Sequence, residues 1–93
     1  MAKPDIFAVA TAFVDWARPW TFFGAVMANP ALTASDRADI EKIWLEVCEF
    51  RHWLRNDLSQ GSASADYALG VAFPWLPDQV RAQFVRAAAY QWR

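Results

Sequence analysis

Ninety-three residues fit one domain (1–93), and 56% of them are hydrophobic, which excludes disorder as the default state. Nine Lys and Arg against ten Asp and Glu leave a net charge of −1, which excludes a strongly basic nucleic-acid footprint. One cysteine excludes an intrachain disulfide and a cysteine-rich zinc module.

The apolar residues are split between very small and very large side chains. Eighteen are Ala, the best helix former, while six Trp, seven Phe and two Tyr supply rings to fill the space that Ala leaves between close helices. The N-terminal residues Met1-Ala2-Lys3-Pro4-Asp5 lack the basic and apolar regions of a signal peptide. Asp15, Arg18 and Pro19 interrupt the greasy N-terminal stretch before it reaches the roughly 20 apolar residues of a membrane span. A cytoplasmic protein is therefore expected. Seven Arg against two Lys fit the coding bias of a GC-rich bacterial or phage genome.

Pro4-Asp5 predicts the start of a first helix, because proline suits the first position and an acid complements the helix dipole. Ile6, Val9, Ala10, Phe13 and Ala17 share one face, and the helix is expected to run on until just before Pro19. Residues 20–28 predict a short second helix that is apolar all round. Trp20, Phe23 and Met27 take one side, with Phe22 and Val26 on the other. Thr33 and Asp36 have the spacing of a capping box, opening a long central helix over about 34–58. Steps of about 100° gather Ile40, Ile43, Trp44, Val47, Leu54 and Leu58 into its apolar stripe, with Gly61 as the expected stop. A short helix from Ser62 to Ala72 follows, then the stiff connector Phe73-Pro74-Trp75-Leu76-Pro77. A last helix from Pro77-Asp78 to about Trp92 turns Val80, Phe84 and Ala87 inward. The pattern contains no strand and no repeat. The expected fold is all-α, a compact bundle of four to five helices around the long central one.

Few residues carry chemistry. Cys48 and His52, the single Cys and the single His, lie four apart and would share a helix face, which makes half of a metal site. No third ligand accompanies them, so neither a metal nor a cofactor is expected. A Cys–His nucleophilic pair lacks an orienting group, so an enzyme is not expected either. Arg51 falls inside the apolar stripe with Arg55 on its shoulder. A guanidinium there is expected to ion-pair, with Asp15, Asp66 or Asp78 as candidates, to snorkel to the surface where the helix leaves the core, or to form a notch for an anion or a partner's carboxylate. The Pro74-x-x-Pro77 spacing reads as a packed turn. Residues 64–91 have a helix-turn-helix rhythm, but the charge balance speaks against DNA.

Phe22, Val26, Leu45, Trp53 and Trp92 remain off the predicted inward faces, and Trp is enriched where proteins meet. These five residues are the expected contact surface of a non-catalytic interaction module. Its partner is a protein: a second copy in a homodimer, or a larger protein to which the chain docks as adaptor, inhibitor or assembly factor. The alternative is a ligand- or metal-binding helical domain that uses Arg51 and Arg55 or the Cys48–His52 half-site.

Overall fold

Local signals start the helices. Pro4 and Asp5 stand in the first turn of α1 (Pro4–Ala12), in a computed structural model that describes residues 4–53 and 58–91. The side chains of Pro4, Phe50, Arg51, Leu58 and Gln91 lie outside that description. α1 turns Ile6 and Ala10 fully inward, as their spacing predicts. It stops six residues sooner than expected, where the ring of Phe13 turns in against Trp16 and Phe22. A 3-10 turn (Pro19–Thr21) leads into α2 (Phe22–Met27).

The capping box at the start of α3 (Ala34–Val47) forms as the spacing predicts: the Asp36 amide donates to Thr33 Oγ1, and the Thr33 amide donates to Asp36 Oδ2, each at 3.1 Å. Ile40, Ile43 and Val47 form its buried stripe. The helix does not continue to residue 58. It ends at Val47, and after Cys48 and Glu49 a separate single turn, α4 (Phe50–Trp53), begins. The indole of Trp53 folds back and donates from Nε1 to the Val47 carbonyl at 2.8 Å. That bond occupies a carbonyl which a continuous helix would have given to the next turn.

α5 (Leu58–Ala72) starts before Gly61 and carries it in its interior, so this glycine is no helix stop. α6 (Asp78–Gln91) closes the bundle, with Val80, Phe84, Ala87 and Ala88 buried. It packs against α1, α3 and α5, while α5 also covers α3 and α4. The described residues are thus all-helical, with four helices of nine or more residues and two short ones. A Cα radius of gyration of 12.4 Å matches the roughly 12 Å of a folded chain this long.

Phe22 is the hub of the core. Its ring meets Phe13 at 5.1 Å, Phe84 at 5.2 Å, Trp16 at 5.9 Å and Trp44 at 6.2 Å between centroids. Edge-to-face and offset pairs of this kind add about 0.5–1.5 kcal/mol each beyond the area they bury. A second ring group, Phe7, Phe73 and Trp75, seats the connector 73–77 against α1.

Candidate functional site

Residues 19–35 hold no charge, so α2 has no polar face to direct it toward water. Packing chooses instead. Phe22 and Val26 go inward, at 0% and 1% exposure, and the opposite face is left outside. That outer face carries Trp20, 68% exposed, then Phe23 one turn on, with Gly24, Ala25 and Ala28 open to solvent. Phe23 stacks on Trp44 of α3 at 5.2 Å. Between the two helices lies an open groove of about 340 Å³ lined by Phe23, Glu41, Trp44 and Leu45, and Leu45 is 69% exposed. A smaller recess of about 150 Å³ lies between α1 and α2, lined by Val9, Ala12, Phe13, Ala25, Val26 and Asn29.

The expected contact surface is corrected accordingly. Phe22, Val26 and Trp53 are core residues, the last at 8% exposure. The spacing alone points them outward because a wheel drawn on an all-apolar helix cannot tell its two sides apart, and because Trp53 belongs to α4 and not to a continuation of α3. Leu45 is exposed, and Trp92 lies outside the described residues.

A polar chain links three helices. His52 Nδ1 lies 2.8 Å from Ser64 Oγ, and His52 Nε2 lies 3.2 Å from Glu46 Oε2. An ionised carboxylate can only accept, so Nε2–H donates to Glu46, while the hydrogen between Nδ1 and Ser64 Oγ sits on either atom according to the protonation of the ring. Serine, histidine and carboxylate are the ingredients of an acyl-transfer triad. Here the imidazole is 3% exposed, and Ser64 sits inside α5, where the neighbouring amides are tied into the helix ladder and cannot hold an oxyanion. The chain acts as a clasp that joins the end of α3 to α4 and α5.

The clasp also dissolves the Cys48–His52 half-site. The helix break puts the two residues on different elements, and both imidazole nitrogens already have protein partners. Burial pushes the Cys48 thiol up to about 11, which keeps it protonated and a poor ligand at neutral pH. Among the described residues no group of three His, Cys, Asp or Glu is placed to hold a metal ion.

The expected anion notch falls on the Arg51 side chain and Arg55, which lie outside the described residues. All three carboxylates proposed as partners for Arg51 have other arginines beside them. Asp15 pairs with Arg18 at 2.6 Å, and Asp66 and Asp78 pair with Arg81 at 3.0 and 2.6 Å. Arg81 also donates to the Leu76 carbonyl, and its two carboxylates raise its already high pKa further. Arg86 lies over the Trp16 ring at 4.1 Å. These two cations of α6, which the helix-turn-helix rhythm would aim at phosphates, are engaged within the chain.

No helix among the described residues is long and apolar enough to cross a membrane. No known family, curated protein or solved structure matches this chain.

Proposed function

We propose that the protein is a non-catalytic protein–protein interaction module that docks through the outer face of α2 and α3. The observation that carries this reading is the exposure of Trp20 and Leu45, at 68% and 69%, beside the apolar groove floored by Phe23 and Trp44. Leaving a large apolar side chain in water forgoes about 1.5–3 kcal/mol of burial; Val14, Tyr67 and Val71 are also exposed, but Leu45 lines this groove and Trp20 stands one turn before it. Contiguous apolar surface on a small domain marks a contact site, and Trp is the residue most enriched where binding energy concentrates. The clasp of Ser64, His52 and Glu46 has a structural role in this reading.

Site-specific photo-crosslinking in the native cell tests the proposal. A photoreactive residue at position 20 or 45 is expected to form protein adducts, while one at the exposed Gln79 on α6 is not. Equal adduct patterns at all three positions would overturn the reading.

A further inference from the structure

We infer that the partner of this face is a second copy of the chain, held by reciprocal insertion of Trp20 into the groove of the other protomer. The inference rests on the docking reading above and adds the occupant. Both halves of the contact are present on one chain. Trp20 projects from the 3-10 turn at 68% exposure, and the open groove of Phe23, Trp44 and Leu45 begins one helical turn away. A two-fold contact requires this self-complementarity, since each residue i that meets j on the partner is matched by j meeting i.

Charge fits the same arrangement. Glu41 is the charged residue among those lining the groove. Arg18 stands at the base of the turn that carries Trp20, where its carbonyl accepts from both the amide and the hydroxyl of Thr21. Its guanidinium pairs with Asp15 yet is 65% exposed, which leaves donors for a second carboxylate. Seating Trp20 in the partner's groove therefore brings Arg18 toward the partner's Glu41, twice per dimer and with opposite signs. The α2 half of the face, residues 19–35, is uncharged, so two copies of α2 can meet without setting like charges against each other. Gly24 has open space where a side chain would be, so the α2 backbones can approach closely. A stable contact takes about 800 Å² from each partner, roughly a seventh of the 5443 Å² surface of this chain.

Sedimentation equilibrium of the purified full chain tests the inference, with far-UV circular dichroism confirming that each variant is folded. The wild type is expected to be dimeric at micromolar concentration. Trp20→Ala is expected to raise the dissociation constant about a hundredfold, because a central tryptophan is lost on both sides. Glu41→Arg sets Arg against Arg and is expected to weaken the dimer on the order of tenfold. Arg18→Glu combined with Glu41→Arg in one chain restores opposite signs and is expected to recover most of that loss. A monomer at concentrations up to about 100 µM, or a dimer indifferent to Trp20→Ala, would overturn the inference. The position-20 crosslink separates this failure from failure of the docking reading. An adduct with a different protein and none with a second copy removes the dimer and keeps the docking face, whereas no adduct above the Gln79 control removes both.

Discussion

Two glycines on helices do opposite things, and the difference lies in what stands next to them. At Gly61 a Cβ would sit 2.8 Å from the Trp53 ring and 2.9 Å from the His52 carbonyl oxygen. The described glycines have no positive φ, so Gly61 serves close approach and not a turn. It lets α5 lie on α4 tightly enough for Ser64 to reach His52. At Gly24 a Cβ would meet nothing within 4 Å. Helix propensity alone favours Ala over Gly by about 1 kcal/mol at both positions. At Gly61 the backbone oxygen cannot step aside, and overpacking costs about 1–3 kcal/mol, so the clash outweighs the propensity. In dilute protein, where association does not contribute, Gly61→Ala is expected to lower the urea midpoint, while Gly24→Ala is expected to raise it, by about 0.5–1 kcal/mol in stability. Equal stabilisation by both would mean that α4 and α5 are not in close contact at this point.

At the scale of elements, α1, α2 and α3 end on borrowed side chains. Left-handed caps are missing among the described residues, so the last carbonyls find other donors. Gln83 of α6 donates to the carbonyl of Ala10 in the last turn of α1 and to that of Phe13 just past it. Trp53 closes α3 through Val47. Arg37 of α3 donates to the carbonyls of Met27, Asn29 and Leu32, at 2.9, 2.8 and 2.7 Å, and so ties the end of α2 to the next helix. Arg37→Met keeps the apolar stem and removes all three bonds. It is expected to cost about 1–3 kcal/mol and to speed hydrogen exchange at the Ala28 and Asn29 amides, whose bonds hold the last turn of α2. Unchanged exchange at those amides would show that α2 closes without the arginine.

This pattern of capping explains which elements could be read from the chain. Thr33 and Asp36, or Pro4 and Asp5, act within one turn, so spacing alone reveals them. Ile40, Ile43 and Val47, and likewise Val80, Phe84 and Ala87, repeat at helical period and face the core as expected. The end of α3 has no such local mark. Neither Pro nor Gly lies between Ala34 and Leu58, and the break depends on Trp53 and on α5 arriving at Gly61. The Ser64–His52–Glu46 clasp was illegible for the same reason, because its members meet only once that break is made. In the candidate site, Leu45 could be read as outward, but the two sides of α2 could not. Its inner side was decided by the rings of Phe13, Trp44 and Phe84 around Phe22.

For the whole molecule, α2 is where the core and the proposed docking face meet, on opposite sides of six residues. Phe22 faces the aromatic core, while Trp20 in the preceding turn faces water. The two roles therefore separate by substitution. Phe22→Ala removes the hub ring, and large aromatic truncations in a core cost about 3–5 kcal/mol, a large share of the roughly 5–14 kcal/mol available to a domain of this size. It is expected to lower the urea midpoint sharply while unfolding remains a single transition by circular dichroism and fluorescence, since the ring contacts reach α3, α6 and the segment after α1 at once. Trp20→Ala removes a side chain that is mostly in water already. In dilute protein, where association does not contribute, its midpoint is expected to stay within about 0.5 kcal/mol of wild type. At high concentration the wild type should gain stability by mass action and the variant should not. A concentration-independent midpoint for the wild type, or a Trp20→Ala variant as unstable as Phe22→Ala, would place Trp20 in the fold instead of on a docking face.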